Sequence, residues 1–273
     1  MSKVTDINEL KNISKNIRRN ILEEVYHAQS GHPGGALSIA DILTVLYFNE
    51  MKVFPQDSKN LNRDRFVLSK GHASAALYAV LSEKGFFSKD ELEKFRKIDS
   101  FLQGHPDMKK IPGVDMTTGS LGQGLSAANG MAIVAKRENM DIRVYCIVGD
   151  GEIEEGQIWE AAMSSAHYKL YNLCLIVDNN NLQIDGEIVN VMNSYPIDEK
   201  FKSFGFNTIN IDGHNYEQII NAFDMARKCK GMPTVIIAKT IKGKGVKFME
   251  NQASWHGKAP NKEEYEEAIN ELK

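Results

Sequence analysis

The chain has 273 residues, 42% hydrophobic and 25% charged, which is ordinary globular composition with enough apolar material for one large α/β domain or two small ones. A formal net charge of −3 gives no electrostatic case for nucleic acid or an anionic membrane as partner, and no apolar run is long enough to span a bilayer. The three cysteines include no CxxC pair, and Cys146 and Cys174 sit inside apolar runs, so the expectation is a cytoplasmic protein with buried thiols.

Apolar residues at Leu10, Ile13, Ile17, Ile21 and Val25 predict a helix with a polar far side. SGHPGGA (30–36) breaks it, and Ser38 opens a second helix through SIADILTVLYFN. RFVLS (65–69) reads as a short strand running into a helix in GHASAALYAVLSEKG, and Ser88 with Glu91 forms a capping box for the next helix. From about Ile98 to Leu121 comes a loop rich in Gly, Pro and His, long enough to be functional or disordered. GQGLSAANGMAIVAK follows as a helix whose small residues suggest close packing against a helix or a ligand. IRVYCIV, NLCLIV and TVIIAK read as strands alternating with helices around Trp159 and Ile219. Continuous apolar strands between helices predict a single doubly wound α/β domain over 1–273, a mainly parallel sheet covered on both faces.

In such a sheet ligands bind outside the carboxyl ends of the strands. Gly149-Asp150-Gly151 stands at one end and Asp178-Asn179-Asn180-Asn181 at the next. Each alone reads as a turn or as a site. Together they offer hard oxygen ligands suited to Mg²⁺ or Ca²⁺, with glycines that permit a sharp turn and a following helix start, in EIEEGQIWEAA, that favours an anion. The pairing is similar to the diphosphate-binding signature of thiamine diphosphate enzymes.

Further stretches narrow that likeness. SGHPGGA (30–36), DRFVLSKGHASAALY (64–78), GHPD (104–107) with TTGSLGQG (117–124), and SWHGKAP (254–260) resemble transketolase, in order, from about residue 10 to 260. The match covers only the N-terminal, diphosphate-binding part of that family. The resemblance implies that Asp150, Asn180 and the Leu182 carbonyl hold Mg²⁺, with Ca²⁺ or Mn²⁺ as substitutes. It implies cofactor contacts from Lys70, His72, Gly119, Ser120, Leu121, Gly151, Lys242 and His256, with Ile184 flanking the thiazolium and Glu155 at a subunit contact. Lys242 and Lys244 have a competing reading as solvated lysines. His32, His105 and His256 would line the substrate channel with His72 near the cofactor, and clustered imidazoles suit proton transfer with sugar hydroxyls. His27, His167 and His214 read as surface or satisfied core residues. Gly35 departs from relatives that carry a small hydroxyl residue there, which puts one cofactor contact in question.

The implied activity is transfer of a two-carbon ketol unit from a ketose phosphate to an aldose phosphate, as in pentose phosphate metabolism. The chain starts with Met and closes with a predicted helix, so the expectation is a natural half-length subunit of a split enzyme. Its expected partner is a separately encoded C-terminal subunit in an α₂β₂ assembly. Alternatives are the α subunit of a 2-oxo-acid dehydrogenase, which the GHPGG and SWHG motifs disfavour, a specialised sugar ketol transferase, and a silent cofactor-binding subunit.

Overall fold

The computed structural model describes residues 3–273. Its centre is a five-stranded sheet of β1 (Arg65–Leu68), β2 (Val144–Gly149), β3 (Leu173–Asn179), β6 (Asn207–Asp212) and β7 (Thr234–Lys239), in the order β1-β2-β3-β7-β6. Every neighbouring pair is parallel. Two short strands, β4 (Leu182–Gln183) and β5 (Gly186–Glu187), form a separate antiparallel hairpin.

The continuous apolar runs have the reason proposed for them. Successive residues of a strand face opposite sides, and both sides are covered. Phe66, Tyr145, Ile147, Ile176 and Ile236 join one core, which includes residues of α1 (Ile7–Ala28), α3 (Ala40–Val45), α4 (Ser74–Lys84), α9 (Tyr216–Lys228) and α10 (Lys262–Glu271). Val67, Val144, Val148, Leu175 and Val235 join the other, with α5 (Gln123–Arg137), α6 (Gly156–His167) and α8 (Ile197–Ser203). The small residues of α5 serve packing: Ala128 and Ala132 are buried, and Asn129 Nδ2 donates to the Ala161 carbonyl of α6 at 2.8 Å. Cys146 and Cys174 are buried in β2 and β3. No helix among the described residues is long and apolar enough to cross a membrane.

The sequence expectations need correction at five points. SGHPGGA does not simply interrupt the chain, because its last residues form the short helix α2 (Pro33–Leu37), with proline at the first helical position, where no N–H is needed. Ser38 does not open the next helix but ends α2, its backbone N donating to the Gly34 carbonyl, while its hydroxyl donates to Asp178 and to the Gly35 carbonyl. After Ser88 the chain makes a 3₁₀ turn over Lys89–Lys94, where Ser88 Oγ accepts from Asp90 N. Strand β6 went unread because NTINID buries only Ile209 fully, as an edge strand does. The last correction, at the helix after Asp150, belongs to the site.

Candidate active site

Four neighbouring strands place polar residues at their carboxyl ends: Lys70 and His72 after β1, Asp150 after β2, Asn180 after β3 and Lys242 after β7. Gly149 pairs with Asp178 across β2 and β3, which brings Asp150 beside the Asn179-Asn180-Asn181 turn. Asp150 is almost fully buried, and its carboxylate accepts from Asn181 N at 2.6 Å and from Gly151 N at 3.0 Å. Asn181 reaches it from a left-handed backbone conformation that asparagine tolerates. Asn180 Oδ1 accepts from Leu182 N at 3.1 Å, and its Nδ2 donates to Asp178 at 3.0 Å.

The glycines beside Asp150 act differently from the expectation. Neither has a positive φ. What Gly151 supplies is closeness: an added Cβ would lie 3.3 Å from Gln183 of the β4–β5 hairpin. The helix start is also displaced. Residues Glu152–Glu154 form a 3₁₀ turn, and α6 begins only at Gly156. The cause is Glu152, buried, whose carboxylate turns back to accept from Gly149 N and Gly122 N at 3.0 Å each and from Ser69 Oγ. That one side chain fastens the ends of β1 and β2 to the 119–122 loop. Gly71 lets the loop come close, since a Cβ there would lie 2.7 Å from Thr118 Oγ1. Sequence reasoning passed over Glu152 as one of several carboxylates in a polar run.

It also left Asp178 without a role. Asp178 is fully buried and accepts from Lys70 Nζ at 2.6 Å, Ser38 Oγ at 2.7 Å and Thr240 Oγ1. Burial pushes its carboxyl up, but the Lys70 charge and these hydrogen bonds outweigh burial and hold it below the usual range. Lys70 is therefore already neutralised, and its remaining bond goes to the Gly35 carbonyl at 2.7 Å. A Cβ at Gly35 would lie 3.6 Å from Lys70 Nζ and 3.8 Å from His72 Nε2, ordinary contact distances. The glycine leaves room there for a small group.

Lys242 differs from Lys70. It is buried and not solvated, and no carboxylate pairs with it among the described residues. Its Nζ donates to the Leu182 carbonyl at 3.2 Å and to His256 Nδ1 at 3.0 Å. Burial, with Lys70 nearby, pulls its pKa down to about 8. Across the same cleft, burial and the Asp178 charge push Asp150 up to about 7. The cleft thus holds a cation and an anion, neither with a charged partner.

Three imidazoles cluster at the cleft, two of which, His72 and His256, line it. The ring centroids of His32, His72 and His256 form a triangle with sides of 5.1, 5.2 and 5.4 Å. Burial first, then neighbouring cations, lowers His32 to about 4, His72 to about 2 and His256 to about 3. All three are neutral at pH 7, and because Lys242 donates to His256 Nδ1, the His256 ring proton sits on Nε2. His105 stands outside the triangle, exposed and packed against Gly119, where an added Cβ would lie 3.1 Å from its Cδ2. Leu121, Leu182, Ile184, Gly151 and His256 line the cleft with the charged groups, and Ile184 is 67% exposed. Ser120 and Glu155 are exposed and make no side-chain hydrogen bond within the described residues. His214 is a satisfied core residue, as expected, bonded to Asp41 and to Ile241 N.

Comparison with known proteins agrees with this architecture. The family described as transketolase, thiamine diphosphate binding domain, matches residues 10–272. An apulose-4-phosphate transketolase subunit from Phocaeicola vulgatus is 43% identical, over 95% of this chain and 92% of its own length. The 6-deoxy-6-sulfo-D-fructose transketolase subunit SqwG of a Clostridium species is 42% identical, over 97% of this chain and 96% of its own length. Human transketolase is 44% identical over 96% of this chain, which spans 42% of that longer protein. The transketolase structure from Campylobacter jejuni superposes with a TM-score of 0.94 at 37% identity, over 98% of this chain and 43% of that one. The chain belongs to the transketolase family, within its thiamine diphosphate-binding domain.

Proposed function

We propose that residues 1–273 form one domain, the cofactor-binding subunit of a two-component transketolase, moving a two-carbon ketol unit from a ketose phosphate to an aldose phosphate in the cytoplasm. The carrying observation is the pair of unpartnered charges in the strand-end cleft, Lys242 and Asp150. A diphosphate with a divalent cation satisfies both at once. The donor set fits: Asp150 and Asn180 supply side-chain oxygens and Leu182 its carbonyl, a hard set suited to Mg²⁺, which keeps places for phosphate oxygens. Lys242, Gly151, His72 and the 119–121 backbone would hold the diphosphate end, with Ile184 against the thiazolium.

When bound, thiamine diphosphate supplies the electron sink for breaking the carbon–carbon bond beside a ketose carbonyl. The chain's residues do the remainder. His32, kept neutral, accepts a proton from a sugar hydroxyl, His256 donates a hydrogen bond to one, and His105 contacts the sugar farther out. Lys242 fixes the His256 tautomer, so that its Nε2–H is the donor. Glu152 and Asp178 keep the loops in register without touching substrate.

A separately encoded partner in an α₂β₂ assembly completes the reading. It is supported by the chain's span of 42% of human transketolase and by the subunit names of the two relatives of similar length. Those names also favour a second reading, a specialised ketose in place of the common pentose phosphates. Assaying the chain alone and with candidate partners against a panel of ketose phosphates tests both. Ketol transfer only in the reconstituted complex is the expected result; turnover by the isolated chain, shown free of partner by mass spectrometry, removes the split-enzyme reading.

A further inference from the structure

Arg96 carries a positive charge that the site described above does not use. It follows the 3₁₀ turn Lys89–Lys94 in a left-handed conformation, with φ 61°, and its backbone N donates to the Leu102 carbonyl at 2.8 Å. The side chain turns back over Gly104, where an added Cβ would lie 2.9 Å from Cζ. Its Nη1 donates to Ser30 Oγ at 3.1 Å. The guanidinium therefore bridges the segment carrying His32 to the segment carrying His105.

Its hydrogen bonding is incomplete. Ser30 Oγ is its one side-chain partner among the described residues, and Nε is buried with no acceptor. No carboxylate pairs with it among those residues. Arg18 and Arg63, the buried arginines, each grip an aspartate through two nitrogens. Glu24 is not the missing counterion, because neither of its carboxyl oxygens has a partner among the described residues. The Arg96 charge nevertheless reaches the channel: after burial, it is the largest influence lowering the pKa of His32 and of His105. A half-buried guanidinium without an anion is costly to keep, and its planar fork suits tetrahedral oxyanions.

Resting on the ketol-transfer reading, we propose that Arg96 forms an anion subsite at the outer, His105 side of the channel, contacting the terminal phosphate of the sugar substrate or an oxyanion of the same charge class. This half of the enzyme then contributes to charge selection.

Two measurements test this. In the reconstituted complex, Arg96→Met should raise KM for a phosphorylated aldose acceptor about tenfold or more, with kcat much less affected. The loss with an uncharged aldehyde acceptor should be at least about fivefold smaller, and Arg96→Lys should recover part of the phosphorylated activity. Equal losses for charged and uncharged acceptors, or no loss, would overturn the subsite. Separately, inorganic phosphate titrated into the isolated chain should shift the His32 and His105 ring resonances and raise their pKa. Arg96→Met should abolish that response, with Arg96→Lys as the check if the methionine variant does not fold. Identical responses in wild type and variant also overturn the proposal. A wild-type complex that transfers no ketol unit to any acceptor defeats the functional reading instead, and the phosphate titration still decides Arg96.

Discussion

Two buried aspartates, Asp41 and Asp150, mark regions with opposite designs. Asp41, in α3, accepts from Arg18 through two nitrogens at 2.9 and 2.7 Å, from Ser14 at 2.6 Å and from Tyr216 at 2.5 Å, and it meets His214 Nδ1 at 2.8 Å. Burial alone would push its carboxyl up, but Arg18 and the hydrogen bonds hold it well below the usual range. Among the described residues Asp150 has only two backbone N–H partners and no paired cation, so burial wins and its pKa rises. Asp41 has its charge satisfied within the scaffold, and Asp150 is left without a cation at the strand ends, as the proposed metal role requires. The scaffold also serves the site: Arg18 Nε donates to the Lys244 carbonyl at 3.0 Å, and His214 Nε2 accepts from Ile241 N at 2.9 Å. The Asp41 network thereby grips the loop that carries Lys242 from both sides.

The sharpest way to break the comparison is to truncate both aspartates. Asp150→Ala should abolish Mg²⁺-dependent binding of thiamine diphosphate by calorimetry while leaving the fold and melting behaviour of the free chain intact. Asp41→Ala should cost about 3–5 kcal/mol in denaturant unfolding, because Arg18 is left buried without its anion. An Asp150→Ala chain that keeps its cofactor affinity, or an Asp41→Ala chain of unchanged stability, reverses the assignment of scaffold and site. Next in size are the histidines. In the reconstituted complex, His32→Ala and His256→Ala should lower turnover roughly 10²–10⁴-fold with far smaller effects on cofactor affinity. His105→Ala should act less strongly, because its ring lies outside the triangle. Full activity in all three variants would remove the channel roles.

The unpartnered charges also predict a pH profile for cofactor binding. If Asp150 holds the metal as proposed, it must be ionised to do so, and affinity should fall about tenfold per pH unit below about 7, as protons compete. Diphosphate needs Lys242 charged, so affinity should weaken again above about 8. Calorimetry from pH 5.5 to 9 should show a maximum between those values, and a flat profile would mean that neither group contacts the ligand. The smallest effect sharpens the contrast away from the site. Glu24, fully buried in α1, has no partner on either oxygen among the described residues, and burial pushes its carboxyl well above 4.5. Above the ordinary carboxylate range the unfolded chain has released a proton that the folded chain still holds, so stability falls as pH rises through that window. Glu24→Leu should therefore stabilise the chain by about 1–3 kcal/mol near neutral pH, with a gain that grows with pH and shrinks in acid. Denaturant titrations at two pH values would measure it.

The sequence by itself determined whatever depends on local pattern. Apolar runs such as NLCLIV announced strands buried on both faces, helical spacing from Leu10 to Val25 announced α1, and glycine and histidine clusters at strand ends pointed to the cleft that the structure forms there. Asp150, Asn180 and His72 were legible because a polar residue stopping an apolar run is a local event. Strand β6 was not, since an edge strand buries too little to alternate clearly. Only the tertiary structure decided which charges are spent and which are free. Lys70 and Lys242 look alike in sequence, but Asp178, more than a hundred residues from Lys70 along the chain, neutralises one and leaves the other unpaired. Glu152 is one carboxylate among several until the fold places three donors from separate segments around it. The histidine triangle draws its corners from residues 32, 72 and 256. Pairing, burial and the pKa shifts that follow depend on distances across the fold, and local spacing does not encode them.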